Sequence, residues 1–189
     1  LVISGGLFHG LQLWVNLPAA QKMVSPAYQN LDADQVKLFT TPDAGTLVRL
    51  IAGNIAGIQG PGSTRTPIVM AHATILPGSQ MVLPWNPAFN ALAHVVKGSG
   101  FVGIDHHSFV VGQTAVFGTG DSITLAASPH EALDVILLGG QPIGEPVEQY
   151  GPFVMNTRAE LQQAMDDYQL GRLGTVPSGG VQPYRGPRK

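Results

Sequence analysis

Apolar and polar residues alternate along most of the chain, in short runs that end at Gly, Pro, Asp or Ser. Because successive side chains of a strand point to opposite faces, this period predicts β-strands. From residue 67 onward the runs follow one another closely, a spacing typical of an antiparallel sandwich or barrel. The predicted strands span residues 36–40, 46–52, 67–76, 80–83, 88–97, 101–104, 109–111, 114–117, 122–127 and 132–138.

An earlier run, Leu7 to Leu17, has apolar residues on both of its alternating faces, which predicts a strand buried on both sides. Pro18 ends this strand, and a short helical turn is expected over residues 19–23. Residues 53–66 are rich in Gly and small polar residues but lack the Lys-Ser/Thr of a phosphate-binding loop. We interpret them as a flexible connector.

One helix is expected, after a Pro-bearing arm at residues 144–156. Thr157 and Glu160 have the spacing of a capping box, in which each side chain accepts a bond from an N–H group at the helix start. Gly171 suits the position that follows a helix end. The apolar face of this helix consists of Leu161, Ala164, Met165 and Tyr168.

Composition restricts the classes of function. The 189 residues, 44% of them hydrophobic, can bury the core of one domain or slightly more. The net charge is −2 and only 12% of the residues are charged. The chain has no basic stripe of the kind that would indicate direct nucleic-acid binding. The absence of Cys excludes disulfides and thiol catalysis. We see no secretion signal and no run of membrane-spanning length, so the expected location is the cytoplasm.

Two longer stretches resemble the pirin family. Phe8-His-Gly-Leu-Gln-Leu-Trp-Val-Asn-Leu-Pro18 resembles the strand that closes the first barrel of these proteins. Glu145-Pro-Val-Glu-Gln-Tyr-Gly-Pro-Phe-Val-Met-Asn156 resembles the signature at the end of their second barrel. The resemblance covers residues 7 to 173. Shorter motifs in the family's order are Arg65-Thr-Pro67, Leu76-Pro-Gly78 and Val95-Val-Lys-Gly98.

Pirins consist of two cupin barrels, so the resemblance implies an all-β, cupin-type antiparallel barrel or sandwich with one C-terminal α-helix. Residues 1–45 would be the end of the first cupin barrel and a linker, and residues 46–145 the second barrel. Residues 146–175 would be the C-terminal arm and helix, and residues 176–189 a flexible tail. The chain starts without Met and in the middle of a pattern, from which we expect a fragment of a longer protein.

The family's iron is held in the first barrel by three histidines and a glutamate upstream of residues 8–18, so none of these ligands can be assigned here. In the second barrel, the ligand segments counted from residues 95–98 are Pro84–Ala91 and Gly120–Ser122, which contain no His and no Glu. We therefore assign no catalytic, cofactor-binding or metal-ligating residue to this chain. His9 and Gln12 are candidates to line the pocket of an intact first barrel.

The other candidate groups have simpler structural interpretations. Asp105-His106-His107 lies at an expected hairpin tip, where adjacent side chains point to opposite faces and suit a metal poorly. The remaining histidines, His72, His94 and His130, are expected to be half-buried strand residues or, for His130, a turn residue. Glu145 and Glu148 border the Pro-bearing arm, which favours solvated or capping roles over a carboxylate pair that flanks a cleft.

The resemblance implies that the full-length protein is an iron-dependent quercetin 2,3-dioxygenase acting on a flavonol, with this chain alone inactive. Two alternatives remain: a non-enzymatic, metal- and redox-sensing transcriptional co-regulator, and a metal-free structural cupin domain. The expected partner is the N-terminal cupin domain of the same protein, with no direct nucleic-acid or membrane contact. An unpaired edge at Leu11–Val15 would also favour homo-oligomers.

Overall fold

The computed structural model describes residues 5–6 and 9–174. None of the helices in this part of the chain is long and apolar enough to cross a bilayer. The predicted tail over residues 176–189 lies outside the described residues. The strands are β1 (Lys37–Thr40), β2 (Thr46–Ala52), β3 (Asn54–Ile55), β4 (Ile58–Gln59), β5 (Ile68–Ile75), β6 (Gln80–Pro84), β7 (Asn90–Lys97), β8 (Ser99–Val102), β9 (His107–Val110), β10 (Thr114–Val116), β11 (Ser122–Ala127), β12 (Leu133–Gly140), β13 (Glu148–Tyr150) and β14 (Phe153–Met155), and the α-helix is α1 (Arg158–Gln169).

The chain divides into two compact units. Residues 24–143 form one unit, which contains β1 to β12. The described residues of 1–23 and 144–174 form the other, which contains β13, β14 and α1. The sequence-based boundary between residues 45 and 46 falls within the hairpin of β1 and β2, whose register pairs Lys37 with Leu50 and Thr40 with Leu47.

Antiparallel pairing builds two main sheets in the 24–143 unit. The larger sheet has the order β1-β2-β5-β12-β7-β10, and the smaller has the order β6-β11-β8-β9. Strand β12 lies inside the larger sheet, paired with β5 from Leu133 opposite Ile75 to Gly140 opposite Ile68. The chain crosses repeatedly between the sheets, as in other sandwiches. The predicted all-β, antiparallel sandwich with one C-terminal helix is therefore confirmed.

The inward faces of both sheets form one apolar core. Strand β2 alternates buried and half-buried residues along its whole length, and β5 does the same. Each fully buried Val, Leu or Ile contributes about 1.5–3 kcal/mol through removal of apolar surface from water. Thr46 is the polar residue buried in this core, and its Oγ1 has no hydrogen-bond partner among the described residues. The largest fully buried side chains are Phe109, Leu50, Ile55, Ile75, Met81, Ile123, Leu125, Leu133 and Leu137.

Gly98 connects β7 to β8 at a point where no other residue fits. Its φ is 82°, which L side chains rarely adopt, and a Cβ there would overlap the backbone carbonyl oxygen of Ala132. The β7–β8 turn can approach the backbone of Ala132 this closely only because Gly98 has no side chain. This glycine ends the stretch Val95-Val-Lys-Gly98 that contributed to the family resemblance.

Residues 53–66, which composition marked as a flexible connector, contain regular structure. They contain the hairpin of β3 and β4, with left-handed backbone at Gly53, Ala56 and Gly57. Gly62 adds a parallel bridge to Ala52. Composition did not predict this hairpin, because it does not show which residues provide the positive φ values of tight turns.

The strand predicted over Leu7–Leu17 is not observed in the described residues 9–17, which pair with no other strand. A strand needs a neighbour for its backbone N–H and C=O groups, and alternation of side chains cannot supply one. Several of its apolar side chains are exposed, with Trp14 74% accessible. The predicted helical turn that follows is confirmed as a 3₁₀ turn at Ala19–Gln21.

The predicted arm and helix are confirmed. Strands β13 and β14 form a hairpin around Gly151, whose φ is 54°. The Thr157 Oγ1 accepts a bond from the Glu160 backbone N–H at 3.2 Å, and the Glu160 carboxylate accepts one from the Asn156 N–H at 3.1 Å. The Thr157 half of the capping box is therefore formed, whereas the Glu160 carboxylate bonds to the N–H of Asn156, one residue before the N-cap. Gly171 follows the helix with a φ of 67°.

Candidate functional site

A cavity of about 430 Å³ opens at one end of the sandwich. At this end β2 and β6 finish while β5 and β7 begin, so four chain segments meet there. The β3–β4 hairpin forms one side of the cavity and the β6–β7 connection forms the other. The lining residues are Gly53, Asn54, Ile55, Ala56, Gln59, Thr64, Pro67, Ile68, Pro84, Trp85, Asn86 and Phe89.

Trp85 is the most firmly held side chain of the cavity. It is 7% accessible, and its indole N–H points to the Asn90 carbonyl oxygen at 3.4 Å. Its backbone N–H donates to the Asp121 carbonyl oxygen at 2.7 Å. A Cβ at Gly139 would lie 2.6 Å from the indole Cζ2, so the ring requires a glycine on β12. The indole is thus fixed by hydrogen bonding and packing.

Three amide side chains supply most of the polar atoms of the cavity. The Asn54 Oδ1 accepts from the Gly57 N–H at 3.1 Å, and the Asn54 Nδ2 points to the Gln59 Oε1 at 3.4 Å. The Asn86 Oδ1 accepts from the Ala88 N–H at 2.9 Å. No lining residue is acidic or basic. The cavity can therefore bind a ligand but offers no group for proton transfer.

The two segments predicted at the metal position of a cupin do come together here. The Trp85 N–H bond to Asp121 joins the Pro84–Ala91 segment to the Gly120–Ser122 segment. However, the side chains that face the interior are apolar, and a mixed N/O iron site needs His and carboxylate ligands. In the part of the chain that the structure describes, no group of three or more His, Asp or Glu residues could hold a metal ion. Iron does not fit this sandwich.

His72 lies in a polar network on the outer face of the larger sheet. The Arg49 Nη1 donates to the Thr74 hydroxyl at 2.9 Å, and that hydroxyl donates to the Asp134 carboxylate at 2.6 Å. The His72 Nε2 is 3.4 Å from the same carboxylate oxygen. Burial lowers the pKa of His72 below its ordinary value of 6.5, the Arg49 guanidinium lowers it further, and Asp134 acts in the opposite direction.

The other predicted histidines remain apart from the cavity. The His94 Nδ1 lies 2.8 Å from the Thr114 hydroxyl on the neighbouring strand. His106 has a left-handed backbone with a φ of 52°, and its ring lies 5.8 Å from that of Phe101, centroid to centroid. His9 and Gln12 are both exposed and line neither this cavity nor the cleft described next.

A second concave region, of about 580 Å³, belongs to the other compact unit. It lies between residues 14–23, strand β14 and helix α1. Glu145 helps to hold these segments together, since its carboxylate accepts from the Ala19 N–H at 2.7 Å and from the Asn156 Nδ2 at 2.9 Å. The predicted capping-type role of Glu145 thus has a structural counterpart, although its partners lie outside the helix.

Asn54 and Gln59 line the cavity but were not among the residues predicted to form a site. Both lie in the Gly-rich stretch that composition marked as a connector. The spacing of Asn54 and Gly57 was the available signal, because an Asn side chain that accepts the N–H of a following Gly is typical of tight turns. Their meeting with the β6–β7 connection depends on pairing between distant strands, which no local pattern specifies.

Residues 70–174 match the family of the Pirin C-terminal cupin domain. A pirin-like protein of Solanum lycopersicum is 39% identical over 170 residues, which cover 89% of this chain and 58% of that protein. Pirin-1 of Arabidopsis thaliana is 38% identical over 169 residues, which cover 88% of this chain and 58% of that protein. The chain thus spans less than two thirds of the length of these relatives.

Among solved structures, one described as quercetin 2,3-dioxygenase from Acinetobacter baumannii is similar to this chain with a TM-score of 0.79 and 32% identity. The match covers 86% of this chain and 56% of that chain. Together with the match to the cupin domain family, it confirms the predicted cupin-type fold.

Proposed function

This chain belongs to the pirin family, and we propose that it forms the metal-free C-terminal part of an iron-dependent quercetin 2,3-dioxygenase. The observation that carries the proposal is the similarity to the Acinetobacter baumannii structure, with 32% identity over 86% of the chain. The iron would be held by the N-terminal cupin domain, which is the expected partner of this chain. A flavonol would be the substrate there.

The interior of the sandwich supports a division of roles between an iron-binding N-terminal domain and this metal-free domain. Its strands fill the core with apolar side chains, and the segments at the cupin metal position carry amide and aromatic residues in place of His and Glu. In the proposed enzyme, the residues of this chain contribute no catalytic step. Its contribution to the full-length protein would be packing and positioning, with His9 and Gln12 as candidates to line the first-barrel pocket.

Quercetin consumption by the full-length protein tests the proposal. We expect turnover in air that stops when a chelator removes the iron and returns when Fe(II) is added back. The 189-residue chain is the matched control and should leave quercetin intact. A full-length protein that binds iron stoichiometrically but leaves quercetin unchanged would contradict the enzymatic proposal and favour the metal-sensing co-regulator.

A further inference from the structure

The cavity at the end of the sandwich has the size of a small-molecule site. Its volume of about 430 Å³ lies within the range of about 300–1,000 Å³ common for ligand pockets. Its lining is mixed, with apolar and aromatic side chains beside polar amide groups. The proposed oxidation of quercetin uses none of these residues, so the cavity needs an explanation of its own.

Its walls are preformed on both sides. Trp85 is fixed by its contacts to Asn90 and Gly139. On the opposite side, Gly53 has a φ of 83°, and a Cβ there would overlap the Ile68 carbonyl oxygen, so the turn into the β3–β4 hairpin is closely constrained. Rigid walls reduce the loss of conformational freedom when a ligand binds.

The hydrogen bonds determine which way the amide groups face. Backbone N–H groups can only donate, so the Asn54 and Asn86 atoms that accept from Gly57 and Ala88 must be the amide oxygens. The Asn54 NH₂ then faces Gln59, whose nearer atom must be its oxygen. The NH₂ groups of Gln59 and Asn86 consequently have no protein partner among the described residues. Both residues line the cavity and are exposed, so these NH₂ groups can donate to a ligand that brings acceptors.

The charge of the lining also restricts the ligand. A charged ligand would lose part of its hydration without meeting an ionised partner, because no lining residue is acidic or basic. Trp85, Phe89 and the two prolines Pro67 and Pro84 supply flat apolar surfaces. Such surfaces suit a ring that can stack or lie edge-on.

We infer that this cavity binds a neutral, planar ring compound that carries carbonyl or hydroxyl oxygens, held by the NH₂ groups of Gln59 and Asn86 against Trp85 and Phe89. Binding requires no metal. The site is separate from the iron chemistry proposed for the N-terminal domain, so the inference can fail while the dioxygenase proposal stands, and the reverse.

Three bicyclic probes of similar size separate the elements of this inference. Coumarin is neutral and carries a carbonyl acceptor, indole is neutral but has only a donor, and coumarin-3-carboxylate adds a negative charge to the first ring system. Each is titrated into the ¹⁵N-labelled 189-residue chain while amide and indole signals are followed by NMR. The backbone N–H of Gly78, in the β5–β6 turn at the other end of the sandwich, provides an internal reference.

We expect coumarin to shift the Trp85 indole signal and the NH₂ signals of Gln59 and Asn86 along a saturable curve while the Gly78 backbone signal stays in place. Indole and coumarin-3-carboxylate should bind at least about threefold more weakly, because each lacks one element of complementarity. Equal binding of all three probes, or no saturable shift at Trp85 with coumarin, would overturn the inference.

A matched pair of substitutions then tests the donor. Gln59→Glu keeps an oxygen for Asn54 but replaces the NH₂ group, and it should weaken coumarin binding about three- to tenfold, the usual effect of one lost hydrogen bond. Gln113→Glu makes the same change at an exposed glutamine whose Oε1 accepts from the Val110 N–H at 2.9 Å, away from the cavity, and should leave affinity unchanged. Equal affinity of both variants, with the Gln59→Glu spectrum still that of the folded chain, would contradict the assigned role of Gln59.

Discussion

Thr46 and Thr74 present the same hydroxyl group in opposite situations. The Thr46 hydroxyl is fully buried in the apolar core and has no partner among the described residues. The Thr74 hydroxyl links Arg49 to Asp134 on the outer face of the larger sheet. A buried hydroxyl without a partner costs free energy, whereas a bridging one stabilises the groups on both of its sides.

Replacing each threonine by the isosteric valine should therefore have opposite effects. We expect Thr46→Val to leave the free energy of unfolding unchanged or raise it by up to about 1 kcal/mol, because an unpaired polar group is removed. Thr74→Val should lower it by about 1–3 kcal/mol, because two hydrogen bonds are lost. Urea denaturation of both variants measures the difference, and a Thr46→Val variant that is less stable than Thr74→Val would contradict the assignment.

His72 should make the stability of the sandwich depend on pH. Because its pKa is lowered on folding, mainly by burial, the unfolded chain binds the proton more readily. The stabilisation is complete above the ordinary pKa of 6.5 and decreases as the pH falls through 6.5 toward the lower pKa of the folded state. Asp134 reduces this effect without reversing it.

Urea denaturation midpoints measured about one pH unit above and about one pH unit below 6.5 test this pH dependence. We expect the wild-type chain to lose stability at the lower pH and His72→Gln to lose less. His130→Gln removes a histidine from an exposed turn and should behave like the wild type. An equal loss in His72→Gln and the wild type would show that another group controls the pH dependence.

At the scale of single elements, alternation predicted the strands of the sandwich well because one face of each strand enters the core. The predicted and observed limits agree for β2 and β11, at residues 46–52 and 122–127. Alternation failed for residues 9–17, where apolar side chains recur but no strand pairs with them. Composition failed for residues 53–66, where glycines serve as turn residues in the β3–β4 hairpin.

Glycine is required at Gly98 and Gly112 for different physical reasons. Both have positive φ, 82° and 83°, but a Cβ would overlap the Ala132 carbonyl oxygen only at Gly98 and would meet open space at Gly112. Gly112→Ala should cost about 1 kcal/mol through backbone strain alone. Gly98→Ala should cost at least about 3 kcal/mol, since β7 and β12 must also separate.

Thermal unfolding of the two variants provides the measurement. Equal shifts in the melting temperature would mean that backbone conformation alone determines the need for glycine at both positions. A larger shift for Gly98→Ala would confirm that close packing of β12 against the β7–β8 turn adds a further requirement.

For the whole molecule, the sequence shows directly that the two predicted ligand segments contain no His and no Glu, but it did not predict the cavity at the end of the sandwich. Candidate metal ligands can be identified from each segment by itself, because Pro84–Ala91 and Gly120–Ser122 either contain His and Glu or do not. The cavity is not local, because it joins Asn54 and Gln59 to Trp85 and Asn86 across strands that are distant in sequence. Its donor character also depends on hydrogen bonds that only the folded chain reveals.

We predict that this cupin sandwich does not bind iron. The most direct test loads the purified 189-residue chain with Fe(II) under anaerobic conditions, removes unbound metal by dialysis and measures iron per chain by mass spectrometry. We predict less than about 0.1 iron per chain, because the apolar interior and the amide-lined end of the sandwich provide no His or carboxylate set. One iron per chain, retained through dialysis, would contradict the claim.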